Sequence, residues 1–216
     1  IEEFSLDDFG VGFDQKVYVL FSKQNPNPEP SIFHTAVDAH YIAFVLTMHW
    51  NKGEIVNVER YDLGSSMVNV HFIRPFKDGF LLLGARCTYI DPSTIENNAI
   101  FVSTDGTVQK EICLGDGIAS CITTEDNQII LSYFDEGIYG NNGWGQTLGM
   151  PGLVIWNENA DIIWKNTRYH ISDCYAMNTD RSNRLWFYFY TTFDLVCCDT
   201  QHEGVKDIVI VPGVEG

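Results

Sequence analysis

The chain has 216 residues, with 29 acidic against 13 basic side chains, a formal charge of −16, 13% aromatics, 18 glycines and 7 prolines. That composition describes one globular domain with a real core and excludes a disordered or collagen-like polymer. The charge and the lack of any Lys/Arg cluster exclude nucleic acid and anionic membrane as partners, and no run reaches the roughly 20 apolar residues a spanning helix needs.

In chain order, the N-terminus Ile1-Glu2-Glu3-Phe4 shows neither a basic nor an apolar signal region. Short runs rich in Val, Ile, Phe, Tyr and Trp follow, at Lys16–Ser22, Tyr41–Thr47, Phe80–Ala85, Ala99–Ser103, Ile129–Phe134, Leu153–Asn157 and Leu185–Tyr190. Their length and composition predict strands, and no amphipathic window of helical length competes with them. Turn chemistry at Asp78-Gly79, Asp105-Gly106, Asp126-Asn127 and Ser182-Asn183 predicts antiparallel hairpins.

The chain also repeats itself. Asp78-Gly79-Phe80-Leu81 returns as Asp126-Asn127-Gln128-Ile129 and as Ser182-Asn183-Arg184-Leu185, with a fainter copy at Asp38–Tyr41. Ala99–Val108 matches Leu153–Ile162, and Leu195–Asp199 followed by Glu203-Gly204-Val205 is a looser third copy. Ile118–Thr123 aligns with Ile171–Ala176 as the opening element, with Met67–Val70 preceding the earlier unit. Three elements recurring in order every 40 to 55 residues or so fit a β-propeller of four-stranded antiparallel blades, incomplete or small as a ring; a β-sandwich is the alternative. One domain over 1–216 is expected, with units at about 34–66, 67–116, 117–170 and 171–211.

Six cysteines, Cys87, Cys113, Cys121, Cys174, Cys197 and Cys198, show no CxxC pair and no His at metal-ligand spacing. Cys113, Cys121, Cys174 and Cys197 read as core residues, which fits a reducing, cytoplasmic location.

In a propeller the loops that open each blade and the loops between its second and third strands share one rim. Those segments are Gly64–Met67, Leu114–Gly117 and Arg168–Asp173 for the first kind, and Arg86–Asn98, Asp135–Gly152 and Thr191–Asp194 for the second. The stretch Asp135–Gly152 is unusually rich in glycine, with aromatic rings beside amides and carboxylates, a mixture that suits a polar cyclic ligand or a protein partner. The ligand-binding candidates are Asp135, Glu136, Tyr139, Asn141, Asn142, Trp144, Asp116, Asp173, His170 and Arg86. The alternative is a self-packed Ω loop with Trp144 closing the end of the core. Asp135 or Glu136 facing Asp173 would also give a carboxylate pair for acid–base work.

The turn, strand, loop, strand, Asp-Gly, strand pattern over residues 34–211 resembles blades of the NHL and gluconolactonase type. The stretch Gly115-Asp116-Gly117-Ile118, Ser132-Tyr133-Phe134-Asp135-Glu136-Gly137, Gly140, Gly143-Trp144, Pro151-Gly152-Leu153 and Asp173-Cys174-Tyr175-Ala176 is similar to a group of uncharacterised bacterial propeller-like proteins. The gluconolactonase resemblance implies a metal near the axis, calcium or another divalent cation, with Asn69 and Asp173 as ligands. The expected role is a non-enzymatic binding module recognising a protein or polar small molecule. A metal-dependent hydrolase of the lactonase type and an acidic inhibitor or immunity-type protein are the alternatives. Unprotected strand edges add an expectation of self-association.

Overall fold

The computed structural model describes residues 3–24, 36–182, 184–199 and 206–213. Residues 34–35 of the expected first unit, Asn183 of one expected turn and Glu203-Gly204-Val205 of the looser repeat lie outside the described residues.

Among the described residues, eighteen strands and one short helix are formed. The first sheet runs β1 (Ser5–Val11), β2 (Val17–Gln24), β3 (Ala36–His49) and β4 (Glu54–Val68), paired in that order. The second comprises β5 (Phe72–Phe76), β6 (Gly79–Leu83), β9 (Ala99–Ser103) and β10 (Val108–Ile112), with a two-stranded excursion, β7 (Tyr89–Asp91) and β8 (Thr94–Ile95), between β6 and β9. The third holds β11 (Ile118–Thr123), β12 (Ile129–Tyr133), β13 (Leu153–Trp156) and β14 (Ile162–Lys165), with α1 (Asp135–Tyr139) after β12. The fourth holds β15 (Asp173–Thr179), β16 (Arg184–Tyr190), β17 (Leu195–Asp199) and β18 (Lys206–Val211). These four antiparallel meanders are propeller blades, and the fold is all-β, of the small β-propeller class.

Contacts divide the chain into two compact units. The first contains 1–114 and 123–128, the second 115–122 and 129–216. In the first unit, Tyr18, Leu20, Tyr41, Ala43, Ile73, Phe80, Leu82, Ile100 and Val102 are among the buried residues of one apolar cluster. In the second, Ile129, Ile130, Leu131 and Ser132 meet Trp156, Ile155, Val154 and Leu153 across β12 and β13, and all are buried. Such two-sided burial explains why these strands read as continuous apolar runs rather than as alternating ones.

Two features differ from the sequence reading. The first sheet begins at Ser5, upstream of residue 34, because the N-terminal segment supplies two of its strands. The second sheet opens at β5, not at Met67–Val70, whose first two residues end β4. Pro75 masks β5 in the sequence; at the edge of its sheet the missing N–H is tolerated.

The hairpin turns carry the expected backbone at Asn127 and Gly106, with φ of 58° and 83°. At Asp78-Gly79 the reason for the glycine is different. The positive φ belongs to Lys77, at 50°, while Gly79 lies in β6, where a Cβ would collide with the Val102 carbonyl oxygen. Among the described residues no helix is long and apolar enough to cross a membrane.

Candidate functional site

The second unit gathers most of the predicted site residues around α1. This helix has only five residues, and Phe134 caps it without a side-chain hydrogen bond. Asp135 and Glu136 in its first turn suit the positive end of the peptide dipoles. It stops at Gly140, whose φ is 105° and whose N–H donates to the Glu136 carbonyl at 2.9 Å.

Backbone fixes where α1 sits. The Phe134 N–H donates to the Gly117 carbonyl at 2.9 Å. Gly117 has a φ of 71°, and a Cβ there would run into the Gly137 backbone; a Cβ on Gly137 would meet the carbonyls of Asp116 and Gly117. The Gly115-Asp116-Gly117 and Asp135-Glu136-Gly137 motifs are therefore two halves of one glycine-to-glycine contact. Only residues without a Cβ let the two chains approach this closely.

The loop beyond α1 packs on itself. Trp144 donates its N–H to the Asn141 carbonyl at 2.8 Å, and Thr147 Oγ1 donates to the Ile138 carbonyl at 2.9 Å. Trp144 is 7% exposed, so it closes the core, as an Ω loop would have it, rather than offering its ring to a ligand. Asn142 Nδ2 lies 3.2 and 3.3 Å from the two carboxylate oxygens of Asp116, itself only 2% exposed. That pair braces the loop against the 115–117 segment. Asn141 is exposed, its Oδ1 accepting the Asn142 N–H at 2.8 Å.

What remains open to solvent is a smaller group. Tyr139 is 62% exposed and shares a hydrogen bond of 2.6 Å with Ser172 Oγ. The Ser172 N–H donates to the Tyr190 carbonyl at 2.7 Å. Asp173, the next residue, pairs with Tyr190 across β15 and β16. Its carboxyl is held above the ordinary range, first by burial and then by the charge of Asp135. The two carboxylates thus lie within electrostatic reach of each other. Exposed His170 flanks this group, its carbonyl accepting from Thr191 Oγ1 at 3.0 Å, and Glu136 is half-buried beside Asp135 on α1.

Arg86 and Asn69 belong to the first unit. Arg86 is 3% exposed. It contributes to His71, whose pKa is lowered mainly by burial, with a hydrogen bond to the Asn69 backbone opposing the shift and the Arg86 charge adding to it. Among the described residues no three His, Cys, Asp or Glu side chains converge as a metal-holding set.

One component was missed in the sequence. Tyr175, Tyr188 and Phe193 form a triangle with ring centroids 6.2, 6.3 and 6.1 Å apart, and Tyr190 meets Phe193 at 5.4 Å. Tyr175, Tyr190 and Phe193 are exposed. Phe193 has a φ of 57°, a conformation a bulky residue rarely adopts. Its turn is pinned by Asp194, which accepts from Thr192 Oγ1 at 2.6 Å and from the Gly213 N–H at 3.0 Å. The available signal was the period-2 alternation of Trp186, Tyr188 and Tyr190 along β16, read as strand pattern rather than as an exposed aromatic face.

No protein-family model matches the chain, and no curated protein matches it. Among solved structures it is similar to a protein of unknown function from Bacteroides caccae, at 11% identity and a TM-score of 0.46, covering 99% of this chain and 83% of that one. It is also similar to virginiamycin B lyase from Staphylococcus aureus, at 13% identity and a TM-score of 0.47, covering 94% and 69%. A streptogramin B lyase matches at 11% identity and a TM-score of 0.43, covering 94% and 67%. The expectation that the chain is not an enzyme is corrected: the solved structures it is similar to include lyases, which are enzymes. At these identities the likeness is one of fold, and any chemistry has to be argued from the side chains of this chain.

Proposed function

We propose that the second unit carries an acid–base active site for a polar cyclic substrate, with hydrolysis or elimination as the reaction class. The observation that supports this reading is Asp173, whose carboxyl is raised by burial and by Asp135 while it follows buried Ser172, hydrogen-bonded to exposed Tyr139, and pairs with Tyr190 of an aromatic surface. A carboxyl with a raised pKa exchanges a proton nearer neutral pH than an ordinary one, which is the property a general acid or base needs. Tyr175, Tyr188, Tyr190 and Phe193 supply flat apolar area on which a ring can stack. Exposed Tyr139, with buried Ser172 hydrogen-bonded to it, supplies a hydroxyl group able to orient a polar substituent. Asp135 is a positioning residue, acting through the pKa of Asp173.

The test is turnover of a panel of lactones and 4-nitrophenyl glycosides and esters by the wild type, Asp173→Asn and Asp135→Asn. Asp173→Asn is expected to lose turnover by about 100-fold or more while retaining its unfolding midpoint at pH 7. Its stability should hold because the native state favours the protonated carboxyl: that contribution is present at low pH and is lost as pH rises through the raised pKa. Asp135→Asn removes the neighbouring charge, so the pH–rate limb assigned to Asp173 should move to lower pH. Asp173→Asn that turns over every reactive probe at the wild-type rate would overturn the proposal, as would a wild type inert to the whole panel.

A further inference from the structure

The crossing that closes the second sheet holds two thiols face to face. Cys87 Sγ and Cys113 Sγ are 3.4 Å apart although the residues are 26 positions apart in the chain. A disulfide requires the sulfurs to close by about 1.4 Å, to ~2.05 Å. Their surroundings hold them there. The Cys87 thiol donates to the Glu96 carbonyl at 3.1 Å, and Glu96 is fixed by Thr88, whose N–H donates to Glu96 Oε2 at 2.7 Å and whose carbonyl accepts the Glu96 N–H at 3.1 Å. Buried Asn98 ties the same crossing from the other side. Its Nδ2 donates to the Gly84 carbonyl at 2.9 Å, its Oδ1 accepts the Leu114 N–H at 2.9 Å, and its N–H donates to the Ile112 carbonyl at 3.2 Å.

Accessibility separates Cys113 from the other five thiols. Cys87, Cys121, Cys174, Cys197 and Cys198 are buried, and Cys113 is half-buried. Burial also pushes the Cys174 thiol up to about 11, which keeps it protonated and unreactive. An oxidant therefore meets Cys113 first and finds Cys87 directly behind it.

We infer that Cys87 and Cys113 form a reversible redox site, oxidised by low-molecular-weight disulfides of the glutathione class. The Cys113 thiolate attacks the S–S bond of the oxidant and displaces one thiolate, leaving a mixed disulfide on Cys113. Cys87 then loses its proton, attacks the Cys113 sulfur and displaces the second thiolate. The protein gives up two electrons and two protons, and the oxidant becomes two thiols, so the exchange balances. The product ties the excursion bearing β7 and β8 to the end of β10, and it closes a loop that the reduced unfolded chain leaves open.

The experiment incubates the full chain with oxidised glutathione, blocks remaining thiols by alkylation, and reads intact mass, cross-linked peptides and Tm. The expected result is loss of two hydrogens, a peptide joining Cys87 to Cys113, and a Tm several degrees above the reduced form that returns to its starting value with dithiothreitol. Cys87→Ala should instead accumulate a glutathione adduct on Cys113, and Cys113→Ser should give neither product. Should Cys87→Ala fail to fold, the wild type and Cys113→Ser suffice. A wild type that keeps the adduct on Cys113 without cross-linking would overturn the inference, as would cross-linking through other cysteines or only after denaturation.

Discussion

Trp144→Ala is expected to lower stability by about 4 kcal/mol, the usual cost of emptying a buried indole site. Trp144 is the largest side chain of a glycine-rich loop and sits almost wholly out of water. Its backbone is held by Asn141, and Gly140 packs against its carbonyl so closely that a Cβ would collide with it. Removing the indole leaves a cavity in the loop's own core, and a loss of this size is a large fraction of the 5–15 kcal/mol a domain typically has. Urea unfolding reads it as a lower midpoint. If Trp144 were instead a ligand surface, the variant would keep its midpoint and lose only binding.

The second large effect lies at the glycine contact. Gly117→Ala is expected to cost about 3 kcal/mol, because it combines a left-handed φ with a steric collision against the Gly137 backbone. Gly137→Ala attacks the same contact from α1, where the built Cβ meets the Asp116 and Gly117 carbonyls. Gly145→Ala is the control. Nothing lies within 4 Å of a Cβ at Gly145 and its φ is not positive, so that change should stay within about 0.5 kcal/mol. Equal effects at Gly117 and Gly145 would mean that α1 is not seated on the 115–117 segment.

The strands legible in the sequence have a common position. Each of the seven runs read as a strand overlaps a strand in the interior of its sheet, β2, β3, β6, β9, β12, β13 or β16. β6, β9, β12 and β13 are buried along almost their whole length and read as continuous apolar runs, whereas β2, β3 and β16 show buried positions alternating with more open ones over much of their length. Edge strands carry weaker signals: β5 contains Pro75, and β4 contains Asn57, Glu59, Arg60 and Asp62 with much of its length exposed. The helix α1 is too short for a helical period to register.

The site was legible in part, for an equally physical reason. The repeat pattern placed Asp116, Asp135, Glu136, Tyr139, His170 and Asp173 on neighbouring loops, and the second unit holds all six. It gave no means of telling a buried ring from an exposed one. Trp144 turned inward, whereas Tyr175, Tyr190 and Phe193 stay exposed. Nor does a linear sequence show that Gly117 and Gly137 touch, since that contact is set by how closely two backbones approach.

The acid–base site is tested most directly by the titration of Asp173, followed through its side-chain carboxyl carbon by NMR in the wild type and in Asp135→Asn. The expected result is a wild-type midpoint above the ordinary value of 3.8 and a downward move when the Asp135 charge is removed. An Asp173 that titrates at or below the ordinary value, and does not respond to Asp135→Asn, would contradict the acid–base site.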